Sequence, residues 1–249
     1  MEKNTLLFVI AAALAGFIGG FLLANGINRS EMTALRSQTA QPAQPASATS
    51  NQAQNAPDNT LSDAEIKAKI DEADKNADDF AFQKNLGVGL YRYAAMKQDV
   101  KTLTESVRIL TRANTLNAKD FEVMVALGNA QFDIGFFNKD AASFQRARSS
   151  YSKALELRPD DLDVQTDLGL TYFLQDPADN AKAATMLEKV IAVDPRHSRS
   201  MQFLVQTYVK LGRIADAEKL LAKLKEIDPR NAQIGELTGQ IGAAKGGSR

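Results

Sequence analysis

Cysteine and tryptophan are absent from the 249 residues, and histidine occurs once, at position 197. Without thiols there is no disulfide framework, thiolate nucleophile or haem-attachment motif. A single imidazole does not make a zinc or copper site, since those metals take several imidazole or thiolate ligands together. The lack of cysteine is neutral on compartment, suiting an oxidising space and a cytosol alike. An excess of one charge is also missing: thirty Lys and Arg balance thirty Asp and Glu. No segment carries a basic stripe, so the electrostatic footprint of a nucleic-acid binder is lacking. No stretch sustains the period-two alternation of a half-buried strand, and the fold class is all-α.

One long hydrophobic run is present. Leu6 to Ala24, LLFVIAAALAGFIGGFLLA, is uncharged, and as a helix rising 1.5 Å per residue it covers about 28 Å, close to the hydrocarbon thickness of a bilayer. It reads as an uncleaved transmembrane anchor following a short tail, residues 1–5. A signal peptide has a shorter apolar region, roughly 7–15 residues, and a small-x-small cleavage site that Leu22-Leu23-Ala24 does not supply. Ala12, Gly16, Gly20 and Ala24 recur every fourth residue. Such a stripe lets two membrane helices approach closely in a homodimer, although small residues are common in membrane spans in any case. Lys3 on one side and Arg29 and Arg36 on the other leave the positive-inside count nearly balanced. An inner-membrane anchor with its N-terminus inside and the remainder in the periplasm is the simplest topology.

Residues 25–60 form a juxtamembrane segment and linker. From Gln38 to Thr60 the chain is rich in Ala, Gln, Pro and Ser with a single charge, the composition of a disordered tether. As a coil those residues span about 27 Å root-mean-square. Residues 61–243, about 185 in all, suffice for one domain with a sizeable core, and residues 244–249 form a flexible tail.

That domain repeats. Leu-Gly pairs occur at Leu86-Gly87, Leu127-Gly128 and Leu168-Gly169, 41 residues apart, and Leu204-Val205 follows after 36. A polar connector precedes each: KNADDF, LNAKDF, LRPDDL, VDPRHS and, last, IDPRNA. A period between 20 and 50 residues with turn signals at one phase marks a solenoid. Every unit holds two helical patterns, such as Leu168, Tyr172 and Phe173 followed by Leu187. Pro159, Pro195 and Pro229 stop the second helix, because proline donates no hydrogen bond and restricts the residue before it. Ser62 and Glu65 form a capping box opening a helix with Ile66, Ile70 and Ala73 on one face. AQIGELTGQIGAAKGGSR starts in phase and dissolves into Gly and charge. Both ends read as caps.

The unit from Ser198 to Asn231 resembles a tetratricopeptide repeat, with Leu204, Tyr208, Gly212, Ala217, Leu221, Leu224 and Pro229 at the repeat's consensus positions. It departs at Val205, where a small residue is usual, and at Leu224, where alanine is usual. The unit from Leu162 matches through Leu168, Gly169, Tyr172, Ala183, Leu187 and Pro195. Two upstream units are each seven residues longer, which is an added turn on each helix or a longer loop. The resemblance implies a right-handed α-solenoid of about four helix pairs with capping helices, preceded by the transmembrane helix and the disordered linker.

It also implies a concave groove lined by the first helices, which binds a peptide or protein partner. Its inner-face positions fall on Lys84, Val88, Tyr91 and Arg92; on Val125, Asn129, Phe132 and Asp133; on Thr166, Leu170, Phe173 and Leu174; and on Gln202, Gln206, Val209 and Lys210. Tyr91, Phe132 and Phe173 share one repeat position. They either form an aromatic ladder for a partner's apolar side chains or pack between repeats as core. The clamp that grips the acidic C-terminus of heat-shock chaperones is not reproduced, since Val88 and Ala126 stand where it requires asparagines.

Signs of chemistry are weak. Gly87-Val88-Gly89 lacks both the preceding strand and the third glycine of a dinucleotide fingerprint. The carboxylates of NADD (76–79) and PDDLD (159–163) fit helix N-caps better than a calcium loop. His197 reads as a solvated loop residue. A non-catalytic membrane-anchored scaffold without cofactor is therefore expected, laid out like the accessory subunits that present apocytochromes for haem attachment. The alternatives are a structural homo-oligomer of the envelope and a regulatory subunit of an enzyme complex.

Overall fold

Aspartate caps six of the ten helices among the described residues. The computed structural model describes residues 62–246, and among them are ten α-helices and no strand. The expected transmembrane span with its Ala12, Gly16, Gly20 and Ala24 stripe, the linker and the extreme C-terminus lie outside the described residues. Among those described, no helix is long and apolar enough to cross a membrane.

Helix α1 (Asp63–Lys75) begins at the expected capping box: Ser62 Oγ accepts from the Glu65 amide at 3.3 Å while Glu65 accepts from the Ser62 amide at 2.8 Å. It buries Ile66 and Ala73. The chain divides into two units, residues 1–76, to which α1 belongs, and residues 77–249.

The second unit consists of four helix pairs: α2 (Phe80–Lys97) with α3 (Val100–Leu116), α4 (Phe121–Asn138) with α5 (Ala141–Leu157), α6 (Leu162–Leu174) with α7 (Asn180–Val193), and α8 (Ser198–Lys210) with α9 (Ile214–Ile227). A last helix, α10 (Ile234–Gly246), runs three residues past the expected domain end. The seven additional residues of the upstream repeats lengthen both helices, to 18 and 17 residues against 13 and 14 downstream.

Within a pair the Leu-Gly glycine is the point of closest approach. A Cβ on Gly128 would lie 2.6 Å from the Tyr151 ring, and one on Gly87 would lie 2.8 Å from Leu110. The fit at Gly169 is looser, with Met186 Cβ at 3.3 Å. The turns joining α2 to α3 and α4 to α5 pass through a left-handed residue, Gln98 (φ 56°) and Lys139 (φ 52°), and the α8–α9 turn uses Gly212 (φ 72°). Between α6 and α7 the chain takes the longer route Gln175–Asp179 through Pro177. The second helices α5, α7 and α9 end two residues before Pro159, Pro195 and Pro229, as a residue that cannot continue the hydrogen-bond ladder requires.

Each second helix packs against both its own first helix and the next one, so α3 touches α4, α5 touches α6 and α7 touches α8. Successive first helices also touch one another, α2 with α4, α4 with α6 and α6 with α8. Contact between first helices puts them on the inner side of the curve. The core runs between pairs: Leu110, Ala113, Val123, Ala126 and Leu127 form one cluster at the α3–α4 junction. At the far end Leu237 and Ile241 of α10 are buried, where this helix packs on α8 and α9.

Candidate functional site

The inner face is set by how the first helices start. Asp79, Asp120 and Asp161 cap α2, α4 and α6, each accepting from the amide three residues on at 3.0, 2.9 and 3.0 Å. This satisfies one of the open N–H groups of each first turn and confirms the capping reading of both carboxylate-rich connectors. In the fourth pair that position is His197. Instead of a solvated loop residue, it is the N-cap of α8 and only 8% exposed. Its Nδ1 accepts the Ser200 amide at 3.3 Å, so the ring proton sits on Nε2 and is donated to Asp163 Oδ1 of α6 at 3.2 Å.

Asp163, His197 and Ser200 thus stand in the order of a nucleophilic triad, with Ser200 Oγ 2.9 Å from Nδ1. The arrangement does not activate a nucleophile. The Nδ1 lone pair is engaged by the amide of Ser200 itself, and Ser200 is fully buried with its hydroxyl 2.7 Å from Thr166 Oγ. A triad serine has to face the space where substrate sits.

Along the inner face of the first pair, Lys84 reaches across to Asp120 (2.9 Å) and Glu122 (2.8 Å) at the start of α4. Burial presses its ammonium downward, but the bonds to Glu122 and Asp120 outweigh that and raise it. A pocket of about 370 Å³ opens beside Lys84, with Arg158 stacked 4.0 Å over the Phe121 ring on its wall; its charges are mixed, and Lys84 is already paired. Val88 packs against the α3–α4 core cluster, and Tyr91 belongs to a second one with Ala94, Ala95, Leu103 and Ala130. Arg92 is half-buried.

On α4, Val125 is half-buried, and Phe132 sits edge-on to Phe144 with centroids 5.4 Å apart. Asn129 accepts the Tyr151 hydroxyl at 2.8 Å and bonds Tyr91 as well. On α6, Thr166 and Leu170 are fully buried, while Phe173 and Leu174 keep part of their surface, Phe173 lying 6.3 Å from Phe203. On α8, Gln202 and Val209 are half-buried, Gln206 is buried and Lys210 is exposed. Of the three equivalent aromatics, Tyr91 and Phe132 are therefore built into core contacts, and Phe173 retains an open edge.

Beneath these residues lies a charged cluster. Asp133 of α4 is 1% exposed, and neither of its oxygens has a partner. Asp167 of α6 is buried and paired with Arg199 of α8. Burial, and then the charge of Asp167, hold the Asp133 carboxyl well above the usual carboxylate range. Burial also raises Asp167, against the pull of Arg199. The Tyr91 and Tyr151 phenols are pushed up by burial first and by the neighbouring carboxylates second. Asp167, Arg199, His197 and Tyr151 escape a sequence reading of the inner face. The available signal was opposite charge about one repeat apart, at offsets of 32 (Asp167 to Arg199) and 34 (Asp163 to His197). Among the described residues no cluster of three or more His, Asp or Glu is placed to hold a metal ion.

Residues 174–241 match the tetratricopeptide repeat. In fold the array is a tetratricopeptide-like solenoid. Solved structures with this fold include MamA (22% identity, TM-score 0.53, covering 69% of this chain and 91% of that one). TTC0263, a thermophilic TPR protein in Thermus thermophilus, gives 17% identity and a TM-score of 0.51 over 73% of this chain and 89% of its own. MamA 41-end from Desulfovibrio magneticus RS-1 gives 15% and 0.52 over 68% and 86%. At these identities the likeness is one of fold. No curated protein matches the chain in sequence.

Proposed function

We propose that the chain is a non-catalytic scaffold whose concave inner face holds a peptide or protein partner. One observation carries this reading: in the last two helix pairs, Phe173 and Leu174 of α6 and Gln202, Val209 and Lys210 of α8 keep accessible surface on two inner helices that touch. Partly exposed apolar side chains rimmed by polar ones are what a docking surface offers. The apolar run Leu6–Ala24 and the tether after it support a membrane-anchored placement, with the array on the periplasmic face of an inner membrane. In that setting the layout is similar to accessory subunits that present apocytochromes, and envelope assembly is the class of work proposed.

A photo-activated crosslinker placed singly at Leu174, Gln202 or Lys210, and for comparison at the outward-facing Lys153 or Lys189, tests this in membranes. Crosslinks to a second protein are expected from the first three sites and not from the last two. Partner crosslinks from the outer sites alone, or self-crosslinks alone from every site, would overturn the proposal.

A further inference from the structure

An array of antiparallel helix pairs has two edges. The turns inside the pairs lie on one, and the connectors between pairs lie on the other, where each second helix ends and the next helix begins. The connector edge is apolar at one repeating position. The last residue of α3, α5, α7 and α9 is Leu116, Leu157, Val193 and Ile227 in turn. The first three are 40, 39 and 70% exposed, and Ile227 is half-buried. On the opposite edge Met96 and Leu211 are exposed, but at unrelated positions of their repeats. Each connector also presents one exposed cation, Lys119, Arg158, Arg196 or Arg230. None of the four is paired with a carboxylate among the described residues. Most connector carboxylates are spent on local bonds instead: Asp120 and Asp161 cap the next helix, Asp194 accepts the Arg196 amide at 2.9 Å, and Asp228 accepts from Asn231 at 2.9 Å. The pocket beside Lys84 has the same composition, with Phe121 and Leu157 in its wall next to Lys119 and Arg158.

We propose that the connector edge rests on a lipid bilayer, with Leu116, Leu157 and Val193 entering the boundary between headgroups and acyl chains. Apolar side chains flanked by Lys and Arg bind there, because the interface takes up the one and its phosphates bond the other. Asp160, Glu156 and Glu226 remain exposed near the cations, so the edge is not strongly basic and its apolar side chains supply most of the attraction. The rest of the chain favours lipid over protein as the occupant. The inference rests on the anchored placement above: the run Leu6–Ala24 holds the array to a bilayer, and the chain that follows it enters the array through residues 77–79, which lead into α2 on this same edge. A tether spanning about 27 Å makes the docking intramolecular, so a few apolar side chains suffice where they would not hold a free protein. The helices then stand end-on to the bilayer, and the inner face opens sideways to its partner.

The test uses the absence of tryptophan from the chain, which makes an introduced indole the sole reporter. Full chains carrying Leu116→Trp, Val193→Trp or, on the opposite edge, Met96→Trp are reconstituted into vesicles of equal parts phosphatidylcholine and phosphatidylglycerol, with and without brominated acyl chains. All three positions are exposed, so folding is not at stake. Emission from Leu116→Trp and Val193→Trp should shift to shorter wavelength and be quenched by the brominated lipid, and emission from Met96→Trp should do neither. Adding Leu157→Asp and Val193→Asp to Leu116→Trp should abolish its quenching while the chain still floats with the vesicles. Chains that float with the vesicles but show no quenching at either edge site, or equal quenching at Met96→Trp, would overturn the docking and leave the anchor standing. A shift to shorter wavelength without quenching would overturn it too, since the edge is then covered by protein, a second copy included. Chains that do not float with the vesicles would overturn both the docking and the anchored placement.

Discussion

At the scale of single residues, the three Leu-Gly glycines are alike in position and unlike in tightness. A helix-interior glycine is roughly 0.5–1 kcal/mol less favourable than alanine, so alanine is the better residue wherever its methyl fits. At Gly128 it does not: the methyl would meet the Tyr151 ring at 2.6 Å, and Tyr151 is fully buried with its hydroxyl tied to Asn129. Gly128→Ala is expected to lower stability by about 1–3 kcal/mol, the range for overpacking a filled core. At Gly169, with Met186 Cβ 3.3 Å away, alanine is expected to stay within about 0.5 kcal/mol of the native residue, its propensity gain offsetting a small crowding cost. Denaturant unfolding of the two variants gives the order directly, and equal costs would show that close packing is not what places these glycines. Position alone was legible in the sequence. The difference in tightness was not, since it depends on Tyr151 in one pair and Met186 in the other reaching the same spot.

At the scale of elements, the first helices are held in register by their caps, and Asp120 does two jobs at once. It caps α4 and binds Lys84 of α2. Burial pushes its carboxyl upward, but the Val123 amide and Lys84 prevail and hold it below its ordinary 3.8. A lowered carboxylate contributes stability that is present above the ordinary value and is lost as pH falls through the lower, folded one. Asp120→Ala is expected to cost about 1–2 kcal/mol at pH 7 through loss of the cap. Asp120→Asn keeps a capping oxygen and gives up only the charge, so it should cost less than about 1 kcal/mol. The gap between native and Asn variant should close as the pH drops below 3.8. Chemical denaturation at pH 7 and in the acid range measures both, and a gap independent of pH would show that the Lys84 pair contributes nothing. Aspartate caps were readable from spacing because a cap bonds its own helix a few residues on. The cap at His197 was not, because its second bond goes to Asp163, a repeat away. The burial of Asp133 and Asp167 was hidden for the same reason: it comes from the neighbouring helices, which lie a repeat away in the chain.

At the scale of the whole array, each pair touches its neighbours and little else, so stability is close to a sum of pair terms and interface terms, and the ends matter most. Helix α10 covers α8 and α9 with Leu237 and Ile241. Ending the chain after Asn231 should therefore lower the unfolding midpoint and promote self-association through the uncovered apolar face, measurable by thermal melting and light scattering. An unchanged midpoint with a monomeric product would show that α10 is not a cap. The pairing of helices, the four units and this terminal helix all follow from a period that is written along the chain. Which inner-face side chains stay open does not, because periodicity treats the groove side and the inter-repeat side of a helix alike: Tyr91 went to the core and Phe173 kept an edge.

The unequal helix lengths give the array a sense of direction. At 1.5 Å per residue, the 18-residue inner helices of the first two pairs span about 27 Å, and the 13-residue helices α6 and α8 about 20 Å. A uniform array offers a bound chain two nearly equivalent ways to lie. Here the trough is broad at its first pairs and narrow at its last, and a partner that is itself wider at one end fits it in a single orientation.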